Sequence, residues 1–206
     1  MTWRLERLES RCLMSMPLDL EGVDDLVLCG INIVGGANNI SLFDSRRVTI
    51  LGGRLMSPKG EPGADNHNLL LNNTRNVVVR DVLMGSVRPR GDAISVYNSS
   101  RVVIDGVRIS GPFDMKTDKA ADIVIDGTGK GGHGDIIRNV RVKKIVIAAG
   151  GFHRLENVRA VTVEISGAAY SGNPRRLVHD ITIRHSIIKH LWIDGQTVKR
   201  VMRIAA

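Results

Sequence analysis

Aromatic side chains are scarce in this chain: Phe, Trp and Tyr make up 3% of its 206 residues. A β-sandwich fills its core with large inward rings, so the shortage favours thinner apolar layers. The same shortage argues against a nucleic-acid binder, which stacks bases on aromatic side chains. There are only two cysteines, Cys12 and Cys29, which allow neither a disulfide framework nor a metal spacing. Cys29 lies in the apolar run LVLCGINIV and reads most simply as a small buried hydrophobe. No apolar run approaches the roughly 18 residues of a membrane span, so no integral membrane segment is expected.

What is abundant is Gly, Val and Ile in short alternating runs, together with basic charge. The 22 glycines exceed average usage, and the formal net charge is +8. That surplus attracts polyanions: nucleic acid, acidic polysaccharide or anionic lipid. The basic residues are scattered, which again disfavours nucleic acid.

One pattern occurs three times: ISLFDSRRVTILGGRL from Ile40, LLLNNTRNVVVRDVLM from Leu69, and GDAISVYNSSRVVIDGVRIS from Gly91. Each copy has an alternating apolar run, a polar turn containing Arg, a β-branched triplet, a second turn and a last apolar residue. Val48, Val77 and Val102 correspond, as do Ile50, Val79 and Ile104, and Leu55, Met84 and Ile109. From Val48 to Val77 is 29 residues, and from Val77 to Val102 is 25. Repetition at such a step marks a solenoid, in which each coil buries its apolar face by stacking on its neighbours.

Strands are expected at 26–34, 39–43, 47–51, 68–71, 76–79, 93–97, 101–104 and 122–125, then at 138–142, 144–147, 158–165, 179–183 and 186–191. No helix of ten or more residues fits after position 18, which excludes helical crossovers between parallel strands. The expected fold is all-β: a single-stranded right-handed parallel β-helix whose stacked coils carry three short sheets. Residues 18–206 form that domain. Residues 1–17 form an amphipathic cap or export-associated segment, because Trp3, Leu5, Leu8, Cys12 and Leu13 follow helical spacing over 2–15. The same segment resembles the LExLExRxLLS motif of some bacterial exported proteins. That likeness implies an extracellular or cell-envelope location without an ordinary signal peptide. The segments 56–68 and 128–135 read as loops that wall a groove, and a monomer is expected.

Coils stack at roughly 4.8 Å, so side chains one coil apart form columns. Asp92, Asp114 and Asp118 fall on neighbouring coils, 22 and 4 residues apart. Three converging carboxylates would repel one another unless a hard cation such as Ca²⁺ held them. Alternatively Asp92 is a turn residue after Gly91, and the other two are solvated loop acids.

Residues 87–118 resemble the central segment of the pectate lyases, in the β-helix polysaccharide lyase superfamily. Gly91–Asp92–Ala93–Ile94–Ser95 matches that family's DAISI strand, Val102–Val103–Ile104–Asp105 its NVxID strand, and Ser110 with Asp114 its SWGxD segment. The resemblance implies that Asp92, Asp114 and Asp118 ligate Ca²⁺, which bridges the protein to a uronate-containing acidic polysaccharide. It departs at Gly106 and Gly111, where the family has His and Trp. It also departs at Gly172 in SGNPRR, where the family's Arg base stands. Arg175 or Arg176 would then serve as the base, with Lys143 or Lys144 neutralising the substrate carboxylate; each could equally be a solvated surface cation. His133 and His153, in Gly-rich turns, are candidate proton shuttles or incidental. Three functions follow: Ca²⁺-assisted β-elimination, acidic-glycan binding without turnover, or glycoside hydrolysis with an acid pair drawn from Asp92, Asp105 and Asp114.

Overall fold

The structure is a computed structural model that describes residues 13–14, 17–35, 38–56, 66–85, 91–110, 121–127, 132–167, 177–194 and 198–204. It is a parallel β-solenoid, with every named strand pair parallel and no helix among the described residues. In the earlier coils a first strand (Ile40–Phe43, Leu69–Asn72, Ile94–Tyr97) leads to a second (Thr49–Leu51, Val78–Arg80, Val103–Asp105). A third follows (Arg54–Met56, Leu83–Gly85, Arg108–Ser110). The register aligns Ile50 with Val79 and Ile104, and Leu55 with Met84 and Ile109, as the repeat in the sequence requires.

Left-handed residues and serines make the corners. The residue after each first strand (Asp44, Asn73, Asn98) and the residue after each second strand (Gly52, Asp81, Gly106, Asn139, Asn157, His185) have positive φ. Asn, Asp and Gly tolerate that left-handed conformation best, which is why they recur there. At Gly53 the need is absolute, because a Cβ would run into the Ile31 carbonyl oxygen. Ser45 and Ser99 then tie coil to coil. Ser99 Oγ accepts the Thr74 N–H at 2.9 Å and donates to the Tyr97 carbonyl at 2.9 Å. Ser45 Oγ accepts the Val23 N–H at 3.0 Å in the same way.

Inward side chains stack into one continuous core that includes Ile33, Leu42, Leu55, Leu71, Val79, Met84, Ile94, Ile104, Ile123 and Ile145. Each such aliphatic side chain contributes about 1.5–3 kcal/mol when fully buried.

Three expectations need correction. The helical cap over 2–15 is not supported. Leu13–Met14 instead pairs as a parallel strand with Asn32–Ile33, extending the sheet edge, and residues 1–12 lie outside the described residues. The apolar run 26–34 is two strands, Val27–Cys29 and Asn32–Val34, because Gly30 turns between them at positive φ. Cys29 is therefore a half-buried strand-end residue and a free thiol, outside the core. Finally, the three strand types form two sheets, not three. Arg141–Ile147 runs unbroken from third-strand to first-strand position and joins those two faces into one 13-stranded sheet, leaving a 9-stranded sheet of second strands.

Candidate polyanion-binding face and the Asp92 corner

The third strands form a face of one charge sign. Arg108, Arg141 and Arg159 are in register on successive coils, and Arg54 heads the same column beyond Leu83. All four arginines are exposed, and none makes an ion pair among the described residues. Lys143 and Lys189 lie two residues along from the column positions and are also exposed. At the third-strand positions themselves (54–56, 83–85, 108–110, 141–143, 159–161 and 187–189) there is no Asp or Glu; Glu164 lies further along its strand, at a first-strand position. Arginines held at roughly the 4.8 Å inter-strand spacing keep a repulsive array that an anionic chain would neutralise.

This face leads into the corner where the first strands begin, and there the polar side chains form a capping ladder. Asn38 Oδ1 accepts the His67 N–H at 2.9 Å, and His67 Nδ1 accepts the Asp92 N–H at 3.2 Å. Asp92 Oδ1 accepts the Ala121 N–H at 2.8 Å. Each side chain thus satisfies the backbone donor of the equivalent residue one coil on, where the chain enters its strand. His67 Nδ1 accepts the Asp92 N–H, so the proton of the ring sits on Nε2. The 3.9 Å separation of Nδ1 from Asp92 Oδ2 is then not an ion pair.

Asp92 is buried at 3% exposure, with one carboxylate oxygen committed to this ladder. Asp114 and Asp118 lie outside the described residues, as do Arg175 and Arg176. Among the described residues, no three His, Cys, Asp or Glu side chains gather into a metal-binding group. Lys143 does share the Asp92 corner: continuing the strand register, Asp92, Ala121 and Lys143 occupy one position on successive coils. Lys144 is spoken for, its Nζ lying 3.2 Å from Glu164 Oε2 in a largely buried pair.

Two further acids, Asp122 and Asp105, have structural partners. Asp122 Oδ2 accepts the Lys144 N–H at 3.1 Å and also the Lys143 N–H. Burial pushes its carboxyl above the ordinary carboxylate value, and those two N–H groups and the Lys143 charge only partly offset the rise. Burial pushes Asp105 up as well. There the Asn139 amide and the Arg138 and Arg80 guanidiniums prevail and hold it below the ordinary value. A carboxyl so held stays ionised and is a poor general acid.

His153 lies in the core: its Nδ1 is 3.2 Å from Asp135 Oδ2 and its Nε2 is 3.0 Å from the Ala149 carbonyl oxygen. Such a position removes it from contact with any surface ligand. His133 is at the surface, its ring 5.9 Å from that of His179 and 6.5 Å from that of Phe152.

The arginine column was not singled out from the sequence. Its signal is the Arg that opens RIS, RVK and RAV after the second-strand turn. The changing coil length hid that alignment.

No protein-family model matches the chain, and no curated protein matches it. Among solved structures it is similar to the Streptococcus pneumoniae surface protein and adhesin PfbA, at 10% identity and a TM-score of 0.31, over 91% of this chain and 68% of that one. It is also similar to QnrB1, a plasmid-mediated fluoroquinolone resistance protein, at 13% identity and a TM-score of 0.25, over 87% and 91%. The β-solenoid assignment rests on the strand register and not on these likenesses.

Proposed function

We propose that the protein binds an acidic, uronate-containing polysaccharide along its third face, with Arg108, Arg141 and Arg159 contacting successive carboxylates. The observation that supports this reading is the single-sign column: consecutive coils present guanidinium groups at third-strand positions that carry no acid. Guanidinium recognises carboxylate bidentately, and a parallel solenoid repeats that contact at a constant spacing. Polyelectrolyte binding of this kind weakens as salt rises.

The test is retention on immobilised polygalacturonate, eluted with a salt gradient and compared with neutral dextran. Retention by the acidic matrix alone is expected, with Arg141→Gln/Arg159→Gln eluting at clearly lower salt. Equal elution of variant and wild type would overturn the assignment to this face.

A second reading, supported by the Gly91–Ser95 resemblance and by Asp92 and Lys143 sharing a corner, adds turnover. In it Asp92, Asp114 and Asp118 would hold Ca²⁺, whose charge would stabilise the enediolate. Arg175 or Arg176, as the neutral base, would take the proton α to the uronate carboxylate. A carbon–carbon double bond would form as the bond to the glycosidic oxygen breaks, and that oxygen would take a proton from solvent. Asp92→Asn keeps an oxygen for the Ala121 N–H and removes the charge. It should abolish Ca²⁺-dependent formation of unsaturated product, followed by ultraviolet absorbance, with the fold retained. No product from the wild type, with or without Ca²⁺, would sink this second reading and leave binding intact.

A further inference from the structure

A cavity of about 450 Å³ opens where the second strands of the later coils turn into the third. That volume lies within the range of small-ligand sites, about 300–1,000 Å³. Two columns line it. One is Asp105, Arg138, Glu156 and Arg184, in register on successive coils and alternating in sign. The other is the turn column Asn139, Asn157 and His185.

The two ends of the cavity differ. At the Asp105 end the carboxylate is fully engaged. Arg80 Nε at 3.2 Å, Arg138 Nη2 at 2.9 Å and Asn139 Nδ2 at 2.7 Å all donate to the one carboxylate. Asn139 Oδ1 in turn accepts from Asn157 Nδ2 at 2.9 Å. At the other end the ladder stops pairing. The cation nearest Glu156 is Arg154, whose Nη1 is 3.8 Å away, too long for a hydrogen bond. Arg184 and His185 are exposed and make no ion pair among the described residues. Arg138 Nε is buried without a hydrogen-bond partner. A buried N–H left unmatched is destabilising, and a ligand oxygen relieves it.

We propose that this cavity is a subsite for a single sugar-acid unit, whose carboxylate meets Arg184 and whose hydroxyls donate to Glu156. The chemistry selects that class. A simple anion leaves the Glu156 carboxylate facing negative charge, and a neutral sugar leaves Arg184 unmatched. A hydroxy-carboxylate ring satisfies both. The inference deepens the acidic-glycan reading. Arg141 and Arg159 stand two residues beyond Asn139 and Asn157, so a chain lying on the arginine column passes the mouth of the cavity.

The experiment titrates the full chain with monomeric galacturonate, glucose and acetate, read by calorimetry or by amide chemical shifts. Saturable binding of galacturonate is expected, with glucose and acetate each weaker by about tenfold or more, the loss of one charge-assisted hydrogen bond. Arg184→Gln should weaken galacturonate about tenfold, and Glu156→Gln should weaken galacturonate but not acetate; circular dichroism checks that both fold. Acetate binding as tightly as galacturonate would reduce the site to a general anion site and overturn the proposal. So would an unchanged affinity in both variants. Arg141→Gln/Arg159→Gln separates the two readings. Loss of polymer retention with monomer binding kept supports both. Polymer retention without monomer binding by the wild type refutes the subsite alone. Monomer binding with retention indifferent to the column refutes the face alone.

Discussion

The first half of the solenoid and the second half solve the same coil with their insertions at opposite corners. Up to Ser110, the turn from first to second strand is short and regular (44–48, 73–77, 98–102), and the extra residues sit before each first strand (57–68, 86–93). After Asp122 the arrangement inverts. Third-strand and first-strand positions fuse into Arg141–Ile147, Arg159–Ile165 and Ile187–Ile193, and the extra residues move to 127–135 and 166–177. The stacked core is unaffected, because Ile94, Ile123, Ile145 and Val163 remain in one column throughout. A solenoid therefore constrains its coil cross-section and leaves the site of insertion free. Where the corner is open, side chains such as His67 and Asp92 must cap incoming N–H groups. Where it is fused, the strand ladder does so itself.

Proline tests this contrast most severely. Five of the six prolines, at 58, 62, 89, 112 and 174, fall in insertions between strands. Thr162 occupies the position at which the earlier coils leave their insertion, but within a continuous strand paired on both sides with Lys144 and His190. Thr162→Pro should cost about 3 kcal/mol or more and should abolish the cooperative thermal transition or lower its midpoint steeply. A melt like that of the wild type would show that the fused corner is no more constrained than the open one.

The halves also differ inside. The inward column runs Val48, Val77, Val102 and then Asp135 and His153 before Ile181. Asp135 Oδ1 accepts the Val102 N–H at 2.8 Å, so its carboxylate ties the two halves together. Asp135→Val removes that acceptor, a loss of about 1–3 kcal/mol for the unsatisfied Val102 N–H, while His153 Nδ1 still accepts the residue 135 N–H. Asp135→Val/His153→Val restores the apolar column of the first half but also orphans the residue 135 N–H and the Ala149 carbonyl, so it should be more destabilised than Asp135→Val alone. Denaturant midpoints for the four species of the cycle would decide it. Strict additivity would mean that the two side chains do not interact.

These contrasts explain what could be read from the chain. The repeat from Ile40 to Ile109 was legible because its corners are short and of one composition, Asn or Asp with Ser or Thr. The alignment of Val48, Val77 and Val102 therefore carried straight into the register. Beyond Asp122 the fused strands remove the turn that marks each coil, so Arg141 and Arg159 lost their visible link to Arg108. Asp92 stood out for its family-like context, but its capping of Ala121 depends on a neighbour one coil away that no local pattern names. The Asp135–His153 pair was hidden for the same reason, since a Gly-rich flank reads as a surface turn even where the side chain points into the core.

The smallest effect expected is a pair of opposite pH slopes at two corner acids. Asp122 is raised by burial, so its contribution is present below the ordinary carboxylate value and lost as pH rises through the raised value. The earlier coils place Asn39 and Asn68 at that position, where Asn68 Nδ2 donates to the Asn39 side chain at 2.8 Å and to the Leu55 carbonyl at 2.9 Å. Asp122→Asn places an amide at that position, with Ala93 on the coil between it and Asn68, and still offers an oxygen to the Lys143 and Lys144 N–H groups. The variant should melt above the wild type at neutral pH, with the gap closing as pH falls toward the ordinary carboxylate range. Asp105 has the reverse sign. Its carboxyl, desolvated but held low by Asn139, Arg138 and Arg80, contributes stability above the ordinary value and loses it as pH falls through the lowered one. Asp105→Asn should therefore melt below the wild type at neutral pH and converge with it in acid. Melting curves of both variants across that range check the pair together. Slopes of the same sign would mean that burial, and not the partners each corner supplies, governs both acids.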